Sequence, residues 1–245
     1  MTSIVTPEAR QRVRGIATPV AKFLGRLGLT PNGLTFIGFI GTCVAAMAAA
    51  AQWWLAAAIL VLVFGIFDLF DGTLARATGK VSRFGAFLDS TLDRAGEAIV
   101  YIGIAVGGFL GGSYLVGLLA SSAMAASFMV SYTRAKSESL GFTPGTGMAN
   151  IGLAPREVRI AILTIGLLAA GLTSGWFLPQ NPVDACTGMI DGSKTGQATF
   201  FDCLLRAQQL PGETPLVAAL GLITVLATIT AIQRILHVRT QARED

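Results

Sequence analysis

Six apolar stretches, each long enough to cross a lipid bilayer, constrain this chain more than any other feature of its sequence. Their approximate bounds are 34–51, 53–74, 84–110, 114–135, 158–178 and 216–236. A helix of about 20 apolar residues spans the roughly 30 Å of hydrocarbon in a bilayer. Composition agrees, because 53% of the 245 residues are hydrophobic and only 13% are charged. We predict an all-α integral membrane protein with six transmembrane helices.

The segment before the first apolar stretch, residues 1–28, is basic and amphipathic. We expect it to form an N-terminal juxtamembrane helix that lies on an anionic lipid surface. A signal peptide is the competing interpretation, but Lys22 and Arg26 interrupt the apolar run and no small-residue cleavage site follows. The chain then divides into this helix and a membrane domain, residues 29–245, in which residues 179–215 form a polar extracytoplasmic loop. Cys186 and Cys203 lie in that loop, where a disulfide between them is an open question.

The basic residues predict the orientation of the chain. With both termini on one side, all of the 18 lysines and arginines except Lys194 and Arg206 fall on that side. The positive-inside rule then places both termini in the cytoplasm of a plasma-membrane protein, although the long loop carrying the two exceptions counts weakly. The formal net charge of +4 does not indicate a nucleic-acid partner, since the cations sit at the ends of apolar runs.

Four aspartates mark the point where the second apolar stretch ends and the third begins. With 3.6 residues per turn, two helices broken around Gly79 each carry acidic groups along one face. The first face comprises Asp68, Asp71, Gly72, Ala75 and Arg76, and the second comprises Gly85, Asp89 and Asp93. Four carboxylates near a bilayer repel one another and need more counter-charge than one arginine supplies. Oxygen ligands suit Mg²⁺ or Mn²⁺, so the pattern predicts a metal site that handles phosphates.

These eight positions, D-x2-D-G-x2-A-R-x8-G-x3-D-x3-D, resemble the signature of the CDP-alcohol phosphotransferases without departure. The resemblance implies transfer of a phosphatidyl group from CDP-diacylglycerol, or a similar CDP-lipid, to an alcohol, with release of CMP, by a homodimer packed through its spans. It implies two divalent cations, Mg²⁺ or Mn²⁺, held by Asp68, Asp71 and Asp89. Asp93, which we also count among the metal ligands, would take the proton from the acceptor hydroxyl.

The resemblance also implies a nucleotide site along the acidic faces. Gly72, Ala75 and Gly85 would let the CDP group lie against the helices, and Arg76 would neutralise diphosphate charge. Before the first span, the segment T-P-N-x-L-T is similar to one that borders the nucleotide pocket in the family, which adds Asn32 and Thr35. Local physics alone interprets this segment as a helix start, with Thr30 or Asn32 as the cap.

Four cations near the fourth and fifth spans are candidates for binding an acceptor phosphate: Arg134, Lys136, Arg156 and Arg159. Taken singly, each is explained as a positive-inside marker or a contact for anionic lipid. Together they provide fixed cations of the kind that grips a phosphate ester. The run from Tyr132 to Glu138 resembles the phosphatidylinositol-phosphate synthase branch of the family. We therefore expect inositol phosphate as the acceptor, with glycerol 3-phosphate as the nearest rival.

Two interpretations from other functional classes compete with an enzyme. Acids within membrane spans also mark cation or proton paths in transporters, but the second half of the chain contains no inverted repeat of the acidic motif. A catalytically silent scaffold of the same family is the other alternative, and the presence of all four acids argues against it.

Overall fold

A computed structural model describes residues 19–20, 23–142, 151–173 and 213–242, apart from the side chains of residues 68–69. It contains six long helices: α1 (Pro31–Ala50), α2 (Trp54–Ala77), α3 (Arg83–Leu110), α4 (Tyr114–Ser139), α5 (Arg156–Thr173) and α6 (Thr214–Gln241). Within these ranges no β-strand occurs. The predicted all-α class is confirmed.

Local caps explain where the helices next to the acidic motif begin and end. Thr30 caps α1 by accepting a hydrogen bond from the Gly33 amide at 3.1 Å, and Ser82 caps α3 by accepting one from the Gly85 amide at 2.9 Å. Between α2 and α3, Gly79 adopts a φ of +65°, a left-handed conformation that costs glycine little. The acidic motif is therefore divided between the C-terminal end of α2 and the N-terminal half of α3.

The helices pack side by side into a closed ring. Helix α1 packs against α2 and α3, α4 packs against α3 and α6, and α5 packs against α2 and α6. The apolar core inside the ring draws residues from all six helices. Within the described residues, α2 and α3 are not among the extensively packed pairs, although they follow each other in the chain. Both rest on α1 instead, which leaves a gap between the two helices that carry the acids.

Small residues allow α1 and α3 to approach closely. A Cβ atom built on Gly103 would lie 2.2 Å from the backbone oxygen of Ala46, and one built on Gly107 would lie 2.2 Å from that of Ala49. Helices in membranes commonly meet through such small residues, because close backbone approach maximises van der Waals contact. This contact sets the position of α3 relative to α1.

Four of the helices, namely α1, α2, α4 and α6, are long and apolar enough to cross a membrane. Helices α3 and α5 do not meet that criterion among the residues described, since no stretch of either that is long enough to span carries fewer than three charged side chains. In the least charged stretch these are Asp93, Arg94 and Glu97 in α3, and Arg156, Glu157 and Arg159 in α5. The structure thus shows a protein with four candidate membrane-spanning helices.

Several sequence-based predictions fall outside the described residues. The amphipathic helix predicted for residues 1–28 is described only at 19–20 and 23–28, where residues 19–20 and 23–26 are helical. The predicted extracytoplasmic loop, with Cys186 and Cys203, lies outside except for its last three residues. The fifth predicted stretch, 158–178, is described as far as Thr173.

We expect Gly103→Ala to destabilise the protein by about 1–3 kcal/mol, because the new methyl group would overlap the Ala46 carbonyl and force α1 and α3 apart. Thermal unfolding in detergent measures this change. Gly221→Ala is the matched control, as a Cβ atom there meets nothing within 4 Å. Equal midpoints for both variants would show that the contact between α1 and α3 tolerates an extra methyl group.

Candidate active site

The gap between α2 and α3 opens into a solvent-accessible cleft bounded by α1, α2, α3 and α5. Its lining combines polar side chains, among them Thr35, Asp93, Glu97 and Arg156, with apolar ones such as Val61 and Leu163. A cleft with this mixture of linings can hold a molecule that has both a charged and an apolar portion.

Next to the cleft-lining Thr35, the predicted ligand Asp71 on α2 is nearly buried, with 5% of its surface exposed. Its carboxylate accepts a hydrogen bond from the Thr35 hydroxyl at 2.6 Å and another from the Gly72 amide. The Arg76 guanidinium lies beside the same turn. Its Nη1 atom is 3.5 Å from the position that a Cβ atom on Gly72 would occupy. The structure therefore brings together Thr35, Asp71, Gly72 and Arg76, which the sequence analysis assigned to the metal and nucleotide sites.

The start of α1 reaches the start of α3. A Cβ atom built on Gly85 would lie 3.3 Å from the Asn32 Oδ1 atom and 3.0 Å from the Ser82 Oγ atom. Thr30, rather than Asn32, caps α1, so the Asn32 amide is placed beside α3. Because Gly85 has no side chain, the backbone at the start of α3 stays uncovered next to the Asn32 amide.

On the α3 side, the predicted base Asp93 forms an ion pair across the cleft. Its Oδ2 atom lies 2.7 Å from the Arg156 Nη1 atom and 3.5 Å from the Arg94 Nη1 atom. Both Asp93 and Arg156 line the cleft. A cation able to hold a phosphate is thus in direct contact with a carboxylate able to accept a proton.

The other three predicted acceptor-site cations do not line this cleft. The Arg134 Nε atom lies 2.8 Å from a carboxylate oxygen of Glu138 near the end of α4, where both side chains are exposed. Lys136 is also exposed there. Arg159 is 1% exposed and its guanidinium donates two hydrogen bonds to Glu97, both of 2.8 Å. Of the predicted group, the structure brings only Arg156 to the cleft.

Sequence reasoning did not identify Glu97 or Arg234, two charged residues that the bundle buries. Glu97 extends the spacing of Asp89 and Asp93 by one further helical turn, which was a usable signal. Arg234 was counted only as an orientation marker, but it is 3% exposed. It donates hydrogen bonds to the carbonyl oxygens of Ile151 at 3.0 Å and Val130 at 2.5 Å.

The donor atoms suit a hard divalent cation. Asp71, Asp89 and Asp93 offer carboxylate oxygens on the two helices that flank the gap, and the near-burial of Asp71 favours partners of positive charge. No set of three acidic, histidine or cysteine side chains is close enough to hold a metal among the side chains described, which do not include that of Asp68. The carboxylate oxygens of these aspartates are nevertheless the type of ligand atom that such an ion prefers.

Sequence comparison identifies the family of the chain. A profile of the CDP-alcohol phosphatidyltransferase family matches residues 28–183. The archaetidylinositol phosphate synthase of Pyrococcus horikoshii is 40% identical over 178 residues, which cover 73% of this chain and 88% of that protein. The phosphatidylinositol phosphate synthase of Cutibacterium acnes is 35% identical over 187 residues, covering 74% and 88%.

Structural comparison points to the same group. The crystal structure of Mycobacterium tuberculosis phosphatidylinositol phosphate synthase with bound CDP-DAG superposes with a TM-score of 0.69 at 26% identity, covering 92% of this chain and 94% of that one. A second structure of that synthase, in complex with manganese and citrate, gives a TM-score of 0.68 at 26% identity and covers 91% and 89%. The acidic motif, the helical fold and these relatives together show that the chain belongs to the CDP-alcohol phosphatidyltransferase family and is an enzyme of that class.

Proposed function

We propose that this enzyme transfers a phosphatidyl group from CDP-diacylglycerol, or a similar CDP-lipid, to inositol phosphate, releasing CMP and forming phosphatidylinositol phosphate. The observation that carries the proposal is the contact between Arg156 and Asp93 in the cleft, at 2.7 Å. An acceptor whose phosphate binds Arg156 brings its hydroxyl groups near a carboxylate that can take a proton. Membership of a family of enzymes decides against a transporter.

The chain's own residues account for the steps of the transfer. Asp93 accepts the proton of the acceptor hydroxyl as that oxygen attacks the β-phosphorus of the CDP-lipid. A new bond forms between this oxygen and phosphorus, the bond from phosphorus to the oxygen shared with CMP breaks, and CMP leaves with the electron pair. Arg76 offsets negative charge on the diphosphate. Thr35 holds the Asp71 carboxylate in one orientation through its 2.6 Å hydrogen bond.

We assign the nucleotide to the region where α1 meets the acidic helices, bordered by Asn32, Thr35, Gly72, Ala75, Arg76 and Gly85. Asp68, Asp71, Asp89 and Asp93 would hold two divalent cations, Mg²⁺ or Mn²⁺, whose charge would neutralise the diphosphate and polarise the phosphorus under attack. The manganese in the Mycobacterium tuberculosis synthase supports metal use.

The proposed acceptor and lipid rest on the relatives as well as on the site. Relatives from archaea and bacteria are named for inositol phosphate products, the archaeal ones archaetidyl and the bacterial ones phosphatidyl. The acceptor phosphate is assigned to Arg156, with Arg134 and Lys136 at the end of α4 as further predicted contacts. Arg159 was predicted as another, but its buried pair with Glu97 favours a different role.

We also propose that all six helices span the plasma membrane, with both termini and the active site in the cytoplasm. Exposed apolar side chains on the two more charged helices support this, among them Ile102 and Phe109 on α3 and Ile165 and Leu172 on α5. The orientation is supported by the distribution of lysine and arginine. A homodimer packed through the spans stays a prediction of the family resemblance.

The acceptor assignment predicts that purified enzyme with CDP-diacylglycerol and Mg²⁺ or Mn²⁺ will release CMP with inositol phosphate and not with glycerol 3-phosphate. Activity should disappear when the metal is removed by EDTA and return when it is added back. Turnover with glycerol 3-phosphate and none with inositol phosphate would overturn the proposed acceptor. A metal-independent reaction would overturn the metal assignment.

Asp93→Asn should lower CMP release by at least about 100-fold, because the amide cannot accept the acceptor's proton. Binding of the CDP-lipid should persist, which can be measured by calorimetry. A normal thermal midpoint would show that the variant is folded. Unchanged CMP release would remove Asp93 from the role of base.

Thr35→Val should weaken manganese uptake in the presence of cytidine diphosphate, because the Asp71 carboxylate loses its hydroxyl donor. A buried hydrogen bond to a charged group is worth about 1–3 kcal/mol, so the loss of affinity should be at most roughly five- to 150-fold. Thr224→Val is the matched control, since the Thr224 hydroxyl bonds to the Leu220 carbonyl of its own helix. Equal affinities for the two variants would contradict the proposed role of Thr35.

A further inference from the structure

We propose that Glu97 and Arg159 form a buried positioning pair that holds Arg156 in the acceptor site, so that Arg159 acts through Arg156 and does not bind the acceptor phosphate itself. This inference rests on the proposed function, because it concerns how one contact of the acceptor site is held in place.

Two ion pairs connect α3 to α5, about one helical turn apart along the two helices. On α3, Asp93 and Glu97 are four residues apart, and on α5, Arg156 and Arg159 are three apart, so each pair of residues shares one helix face. Arg156 meets Asp93 at 2.7 Å, and Arg159 meets Glu97 at 2.8 Å. The two contacts thus fix both the rotation of α5 and its height relative to α3.

The two arginines differ in their surroundings. The Arg156 side chain is 28% exposed and lines the cleft, whereas the Arg159 side chain is 1% exposed and does not. Arg159 engages Glu97 through Nε and Nη2 in a two-point contact, the arrangement that holds a guanidinium most rigidly. A ligand that reached Arg159 would have to displace this buried carboxylate. Of these two arginines, Arg156 is the one placed to meet a phosphate in the cleft.

Arg159 also holds the segment from which α5 begins. Its Nη1 atom donates a hydrogen bond of 3.0 Å to the Ala154 carbonyl. The Ala154 and Leu153 amides donate in turn to the Thr230 hydroxyl on α6, each at 3.0 Å. Arg156 follows Ala154 by two residues, so the same network that secures Arg159 sets the backbone position of Arg156.

A buried ion pair usually contributes less to stability than apolar packing would, because both ions must be desolvated. Such pairs are better suited to fixing one arrangement among several, and here the arrangement fixed is the first turn of α5. Losing the Glu97 charge should therefore disturb the use of the acceptor through Arg156, in addition to any effect on stability.

A double-mutant cycle tests this connection. The kcat/KM for the acceptor is measured in wild type, Glu97→Gln, Arg156→Ala and the double variant, each corrected for its folded fraction. We expect Glu97→Gln to lower kcat/KM by about tenfold or more in wild type, but by less than about twofold when Arg156 is already absent. Equal fold-losses in the two backgrounds would overturn the proposal, since a purely structural pair would act independently of Arg156.

Glu157→Gln is the matched control for the cycle. It removes an exposed carboxylate from the same turn of α5, next to Arg156, and should leave kcat/KM within about twofold of wild type. A tenfold loss in this variant would mean that any charge change near α5 disturbs the site, which would contradict a specific role for Glu97.

A labelling experiment tests the inference without turnover and so separates it from the proposed function. Phenylglyoxal modifies accessible arginines, and peptide mass spectrometry identifies the modified positions. We expect Arg156 to be modified and to be protected by inorganic phosphate or inositol phosphate. Arg159 should stay unmodified with or without either anion, and should become reactive in Glu97→Gln. Modification of Arg159 in wild type that either anion blocks would overturn the proposal.

If the wild type turns over glycerol 3-phosphate instead of inositol phosphate, the proposed acceptor fails but the cycle is measured with that acceptor. If neither acceptor reacts, the proposed function fails and the labelling pattern decides the inference by itself.

Discussion

The pairing of charges between α3 and α5 is the interaction on which the charged lining of the cleft depends. Asp93 and Glu97 lie on a helix surrounded by apolar neighbours, and unpaired carboxylates there would carry a large desolvation cost. Arg156 and Arg159 provide the opposite charge at distances below 3 Å. Helices α3 and α5 are too charged to meet the criterion for membrane spans. They are also the two helices that these ion pairs join. Their pairing allows carboxylates to lie inside an apolar fold.

Helix α1 gives this arrangement its shape by standing between the two halves of the acidic motif. Its close contacts with α3, through Gly103 and Gly107, and its packing on α2 keep the acidic helices at a fixed separation. The cleft is a product of that separation. Thr35 connects the cleft to the acidic motif, since this α1 side chain lines the cleft and also donates a hydrogen bond to Asp71.

Sequence periodicity predicted the helical class, the break near Gly79 and the sharing of faces by the acids, because these depend on local geometry. The neighbours of each side chain depend on how distant segments pack. A row of cations is equally compatible with phosphate binding, lipid contact and internal pairing, so spacing could not show that Arg159 is bound to Glu97 while Arg156 faces the cleft. Nor could an isolated arginine in the last apolar stretch reveal the buried contacts of Arg234.

The order of the paired helices along the chain has a consequence for biosynthesis. Helix α3 leaves the ribosome with its carboxylates before α5 supplies the arginines that neutralise them. Charged residues are costly to insert on an isolated helix, so the third hydrophobic segment is a poor substrate for independent release into lipid. Under the six-span topology proposed above, its stable integration would depend on a segment synthesised more than 40 residues later, which would make assembly of this domain cooperative during translation.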